Sequence, residues 1–274
     1  MSEALTLDLS FTAAGTRTVM NRRRYRWPQT VGRVFYLDVA DPGHGTVLIQ
    51  NAGASLHPGD YVKQRISASG GARIDVSGQG AMLVTGVPGA GPAVEETDLR
   101  AGASTGLAYR PEPRILTEFA HVEQNTSVVL KAGASVVLTD AVIVHPDVTE
   151  ESFGSFRSRV TVSTTGDIRM FDAQHATTLP SPHSGLRAFA TVYLLVGDEN
   201  AVSSNASFDW PNGLEGLNGF DGRSGAYAAG TALPNGVGYA IRIAAAGGET
   251  LRRALETAVG LFRATEHVYP VDTS

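Results

Sequence analysis

From Leu5 to Phe11 the chain alternates strictly, with apolar Leu5, Leu7, Leu9 and Phe11 separated by polar Thr6, Asp8 and Ser10. A period of two puts successive side chains on opposite faces, so the pattern predicts a half-buried strand. Val31 to Tyr36 and Thr46 to Gln50 are rich in β-branched and aromatic residues and flank Asp41-Pro42-Gly43-His44-Gly45, which carries turn chemistry. They read as consecutive strands. Further on, Ala188 to Val196 and Val237 to Ile243 are apolar strand segments. The period then changes: Leu251, Ala254, Leu255, Ala258, Val259 and Phe262 recur at helical spacing, which predicts a helix over Glu249 to His267. Gly247-Gly248 precedes that helix and Pro270 follows it, punctuating both ends.

One phrase recurs inside the β region: Gly70-Gly71-Ala72-Arg73, Ala101-Gly102-Ala103-Ser104 and Ala132-Gly133-Ala134-Ser135. Its alanines at 72, 103 and 134 are spaced by 31 residues each time. Each copy reads as strand, glycine turn, strand. Val160 to Ile168, with Gly166, reads as a fourth and decayed copy. Repeats of this length mark stacked units that bury one another's apolar faces. The expected fold is therefore mainly β, a stacked scaffold of many short strands with a C-terminal α-helix. The chain reads as one unit over 1–274, with a β-repeat scaffold over 1–184 and C-terminal strands, long loops and the helix over 185–274. A break falls in the proline-bearing stretch Thr177 to Ser184, and the Gly-, Asn-, Ser- and Asp-rich residues 197–236 read as long surface loops.

Composition narrows the function. The 274 residues carry 22 Lys and Arg against 27 Asp and Glu, a net charge of −5, so no global field draws nucleic acid or an anionic membrane. There is no cysteine, which excludes thiol catalysis and cysteine-ligated metal; any metal would be held by His or carboxylate. The first residues lack a basic and an apolar signal region, and no apolar run reaches the roughly 20 residues of a membrane span. The expectation is a cytoplasmic protein that engages neither membrane nor nucleic acid. Asn21 to Pro28 holds four Arg and two aromatics. It suits a phosphate or RNA contact, or an exposed strand edge guarded by charge, and the acidic whole favours the second.

No nucleophile elbow, phosphate loop or His-Glu-x-x-His zinc motif is present. Gly86 to Pro92 resembles a glycine loop but lacks the following Lys, and reads as a surface turn. Two places hold groups suited to a divalent cation. His145, Asp147, Glu150 and Glu151 lie within seven residues between strands, as a weak N and O donor set or as a solvated acidic loop. Asp60, in His57-Pro58-Gly59-Asp60, either turns its carboxylate inward or closes an Asx turn. Leu107 to Pro113 places Tyr109 and Arg110 beside Pro111 and Pro113, which cannot join a central ladder. These four form a candidate recognition segment or an edge turn.

Taken in order, several segments resemble the urease accessory proteins of the UreD (UreH) family: Leu7 to Phe11 with Gly15-Thr16-Arg17, Pro58-Gly59-Asp60, Gln79-Gly80-Ala81, Leu107 to Pro113, Gln124-Asn125-Thr126, Glu151-Ser152-Phe153 and the ending Tyr239 to Arg263. The family's glycine run before Asp60 is replaced here by Asn51 to Pro58, and the glycine before Glu151 by Glu150. The resemblance implies a β-helix-like, non-enzymatic scaffold that binds apo-urease, joins UreF and through it the GTPase UreG, and helps deliver nickel. It implies an internal nickel route with Asp60 and Glu151 on it and His145 and Glu150 as local additions. It also implies no tightly held cofactor, only Ni²⁺ in transit. Two other readings stand beside it: a β-solenoid carbohydrate-active enzyme using carboxylates on adjacent coils, and an assembly scaffold for another metallocentre.

Overall fold

The computed structural model of the chain describes residues 5–164, 166–179, 185–197 and 225–266. The alternating segment at the start forms β1 (Leu7–Ala14), which turns at Gly15 into β2 (Arg17–Tyr25). Three coils of a β-solenoid follow. Their first sides are β6 (Tyr61–Ser69), β9 (Ala93–Ala101) and β12 (His121–Leu130), paired in parallel. Their second sides are β7 (Arg73–Gln79), β10 (Gly106–Arg110) and β13 (Ser135–Val144), also parallel. A short third side is built from β5 (Ser55–Leu56), β8 (Met82–Val84) and β11 (Arg114–Leu116), which pairs with the far half of β13. Before them, β3 (Gln29–Val31) and β4 (Gly45–Asn51) open the second side.

The coil step differs from the sequence period. Ala68 faces Ala101, a step of 33 residues, and Ala101 faces Leu130, a step of 29. Each turn holds a left-handed residue three places past the in-register strand residue, at Gly71, Ser104 and Gly133 with φ of 74°, 53° and 67°, and the first turn adds a second at Gly70 with φ of 60°. The middle copy of the recurring phrase is thus offset by two residues, because Ser104 rather than Gly102 occupies the strained position. The longer first step lies mostly in the loop at 85–92, which returns the chain from β8 to β9. This is where Gly86 to Pro92 sits, as the turn expected.

The supposed fourth repeat does not make a fourth coil. Strands β14 (Ser155–Thr164) and β15 (Asp167–Ala176) form an antiparallel hairpin that stays in the first sheet. With β1 and β2 at the opposite end, hairpins close both ends of a seven-stranded sheet, in the order β15-β14-β12-β9-β6-β1-β2. The second sheet continues through β16 (Ala188–Val196), β18 (Gly238–Ala245) and β17 (Ala226–Ala232). Strand β17 replaces part of the expected 197–236 loop, whose residues 198–224 lie outside the described residues, as do 180–184 of the expected break. The expected strand over Val31 to Tyr36 is shorter: the ladder ends at Val31, and Phe35 rejoins by one bridge to Thr46.

Helix α1 (Gly248–Glu266) lies on the outer face of the second sheet. Its Leu251, Ala254, Ala258, Val259 and Phe262 are buried against Val137, Val192, Leu194, Ile241 and Ile243. The space between the sheets is the solenoid lumen. Strand parity fixes what enters it, and the 2-residue period gives each strand a row position along the lumen. No helix among the described residues is long and apolar enough to cross a membrane.

Candidate functional site

The lumen has two apolar ends and a polar middle. Near the glycine turns, Ile66, Leu99, Val128, Val136, Leu138, Val160 and Tyr193 belong to one cluster. At the opposite rim, Leu56, Val84, Ala93, Leu116, Val122, Val142 and Phe156 form another. Between them each strand presents polar residues at the same inward parity. Gln64 pairs in register with Thr97 and Thr97 with Thr126; one row over, Val62 pairs with Glu95, Glu95 with Gln124 and Gln124 with Ser158. Asp140 occupies the matching place on β13, between Leu138 and Val142.

This polar seam runs along the lumen from coil to coil. Gln29 donates to Gln64 at 3.3 Å. Arg114, 6% exposed, makes a two-pronged pair with Glu95, 4% exposed, at 2.6 and 2.7 Å. Gln124 donates to the same carboxylate at 3.3 Å. Farther along, the Ser158 hydroxyl donates to Asp140. The Tyr193 hydroxyl donates to Asp172 at 2.7 Å, and Arg242 holds Asp172 from the outer side at 2.7 and 2.9 Å.

Burial dominates the electrostatics. It pushes the Asp140 carboxyl up, against the Ser158 hydrogen bond and the Arg114 charge that favour ionisation. The Tyr109 and Tyr193 phenols are pushed up for the same reason. Burial alone would lower the Arg114 guanidinium, but Glu95 outweighs it and holds the group above its ordinary value. A pocket lined by Gln64, Glu95, Tyr109, Glu112 and Arg114 meets the seam at the corner carrying Gly78 to Gly80. The carboxylate, amide and hydroxyl oxygens of the seam are donor types that hard and borderline cations accept.

The residues singled out in the sequence lie elsewhere. Asp60 accepts a hydrogen bond from the His57 amide at 2.8 Å through Oδ2, closing its own turn at the start of β6. Glu150 and Glu151 are exposed in the turn before β14. His145 is 3.5 Å from Asp147 and, through Nδ1, accepts from the Asp147 amide at 3.3 Å. Asp60 and Glu151 share one rim of the solenoid but stand three strand steps apart, about 14 Å at the usual strand spacing. The structure does not bring the four together. Among the described residues no three His, Asp or Glu side chains form a group able to hold a metal.

The candidate recognition segment is also divided. Tyr109 is inside the lumen at 4% exposure. Arg110 points to the other face, where Nη2 donates to the buried Asp75 carboxylate at 3.1 Å, and burial lowers its pKa. Pro111 and Pro113 are half-buried at the corner where the chain leaves β10 for β11. Glu95, Arg114, Asp140 and Asp172 escaped the sequence reading. The available signal was a charged residue an even number of places from a core residue on the same strand: Glu95 from Leu99, Asp140 from Leu138, Asp172 from Met170.

Comparison with known proteins follows the same order along the whole chain. The family model described as UreD urease accessory protein matches residues 3–271. A urease accessory protein UreD of Mycolicibacterium smegmatis is 42% identical over 256 residues, covering 93% of this chain and 89% of that protein. A UreD 2 of a Bradyrhizobium species is 33% identical over 265 residues, 94% of this chain and 88% of its own. The UreD of the archaeon Haloarcula marismortui is 30% identical over 225 residues, 79% and 72% of the two chains. A chain matched from its first strand to the end of its helix, and sharing two fifths of its residues with a relative of similar length, belongs to the UreD family of urease accessory proteins.

Proposed function

We propose that this protein is a urease maturation scaffold that binds apo-urease together with UreF-like and UreG-like accessory proteins, and that nickel passes through its lumen on the way to the urease active site. The observation that carries this reading is the polar seam. A solenoid gains stability from apolar lumen rows, and buried charged pairs add little to it, because desolvation consumes most of their attraction. Residues kept polar in every coil at such a cost point to a task other than folding. Nickel is cargo here and not a resident cofactor. Asp140 and Asp172, beside the Ser158 and Tyr193 hydroxyls, supply oxygen donors for a cation in transit, and the Glu95–Arg114 pair sets the charge at the pocket end. No bond-making step is assigned to the chain.

The rim carboxylates Asp60 and Glu151, with His145 and Glu150, belong to this reading as an entrance or exit and not as one site. Tyr109 acts from within the lumen, and of the recognition segment only Arg110, Pro111 and Pro113 approach a surface. The test is to assemble urease in cells with and without this chain, with a tag on it. Loss of urease nickel and activity in its absence, with apo-urease and a UreF-like protein retained on the tag, is the expected result. Normal nickel loading without it would overturn the proposal.

A further inference from the structure

The first sheet ends at β2 in an arginine-rich edge, whereas its other edge strand, β15, carries one arginine and exposes Ile168 and Phe171. Residues 15–37 contain six Arg, at 17, 22, 23, 24, 26 and 33, and no acidic residue, in a chain whose net charge is −5. Five of the six lie on or next to the edge strand. Strand β2 pairs with β1 on one side only and is terminal in its sheet. Its beginning is covered: the Thr18 amide donates to the Gly43 carbonyl at 3.0 Å, and Tyr36 donates to the Thr18 carbonyl at 2.8 Å. From Val19 to Tyr25 no backbone among the described residues pairs with the outer edge. These seven residues span about 23 Å and carry one bulge at Asn21, so Arg22 to Tyr25 form the regular open stretch, room for a short added strand.

The side chains along that edge are equally uncommitted. Arg22 is held by Asp8 at 3.3 Å, but the side chains of Arg23 and Arg24 make no hydrogen bond or ion pair among the described residues. Register places Tyr25 beside Leu7 and Arg24 beside Asp8, so the arginines project on both faces of the strand. Where the strand ends, Trp27 stands 77% exposed and Tyr25 42%. A strand edge guarded against aggregation needs charge alone. It does not need an exposed tryptophan, which costs solubility, whereas Arg with Trp and Tyr is the composition of interface centres.

We propose that the outer edge of β2 is a docking site for an extended acidic segment of a protein partner, which adds to the first sheet as an eighth strand. Backbone ladder bonds from Arg22 to Tyr25, beyond the bulge at Asn21, hold the segment, Arg23 and Arg24 pair with its carboxylates from either face, and Trp27 covers an apolar side chain at its end. Two copies of this chain do not meet β2 to β2, because that would set arginines against arginines. A nucleic acid would use the charge and the aromatics but leave the ladder unused.

The test uses the full chain and a dye-labelled, end-blocked eight-residue peptide alternating Glu with Val and Thr, read by fluorescence anisotropy. The peptide should bind, blue-shift the Trp27 emission and lose affinity as salt rises. Arg23→Glu with Arg24→Glu should weaken it at least tenfold, in a variant whose circular dichroism matches the parent. A peptide N-methylated at every residue, unable to donate to a ladder from either edge, should lose a similar factor. Equal binding of methylated and unmethylated peptides would reduce the site to charge and overturn the proposal. So would displacement of the peptide by a U-rich RNA oligonucleotide of equal charge, or absence of binding, which would leave β2 as a guarded edge.

Discussion

The same three strands build two different interiors. Near the glycine turns, Ile66, Leu99 and Val128 stack in register as apolar rungs, while four residues toward the strand starts Val62, Glu95 and Gln124 stack at the same parity, two of them polar. Both regions are buried, both belong to every coil, and only one resembles a hydrophobic core. The apolar rungs hold the coils together by excluding water. The seam pairs its charged groups through Glu95–Arg114, Asp140–Ser158 and Asp172–Tyr193, while the Gln29 and Gln124 Oε1 atoms are buried without a hydrogen-bond partner among the described residues. On the proposed function the apolar rungs serve stability and the seam serves transit, and that division can be broken at either end.

The largest effect is expected where a buried charge loses its partner. Glu95→Ala leaves Arg114 uncompensated in the lumen and should cost about 3–5 kcal/mol, measured by urea unfolding. Replacing both, as Glu95→Leu with Arg114→Met, should return stability to near that of the parent while urease activation is lost. Retained activation in that stable double variant would show the pair to be structural. Next in size, Leu99→Ala in the apolar rung should cost about 2–4 kcal/mol but leave activation per folded molecule unchanged.

A third expectation concerns pH. Burial raises the Asp140 carboxyl, so the native state holds its proton to higher pH than the unfolded chain does. The stability this contributes is complete below the ordinary carboxylate range and is lost as pH rises through the raised value. Asp140→Asn keeps an acceptor for Ser158 and removes the titration. Its melting temperature should match the parent near pH 4 and exceed it increasingly toward pH 8; a constant difference would contradict the assignment. The smallest effect is at Ser104, a side-chain-bearing residue at a φ that glycine adopts freely. Ser104→Gly relieves that conformation but loosens the unfolded chain, for a net gain of a few tenths of a kcal/mol by thermal melting.

Much of the fold was legible because it rests on local periodicity. The alternation at Leu7 to Phe11, the apolar run Ala188 to Val196 and the face of α1 each need only neighbouring residues to declare themselves. The repeat was legible in its total span but not in its middle copy. A search by glycine matched Gly102 to Gly71 and Gly133, whereas the geometry selects Ser104. The site was less legible for a related reason. Asp60, His145, Glu150 and Glu151 attract notice because they cluster in sequence or sit in turns, and the structure places them on a rim, apart. Asp140 is the single acid of β13, Glu95 shares β9 with Glu96 and Asp98, and Asp172 shares β15 with Asp167, so the three are marked out only once the coils stack. Parity relative to Leu99, Leu138 and Met170 marks them, but parity becomes a signal of burial only when the turn joining the sheets is fixed.

The central claim is that the seam conducts nickel while the apolar rungs only support it. It is tested most directly by purifying urease matured with Asp140→Asn and Asp172→Asn together in this chain and measuring nickel per active site by mass spectrometry. The paired variant should remain folded and retain apo-urease and its UreF-like partner, while urease nickel falls severalfold below the parent. Full nickel occupancy with the paired variant would contradict the account, leaving the polar seam without a part in metal delivery.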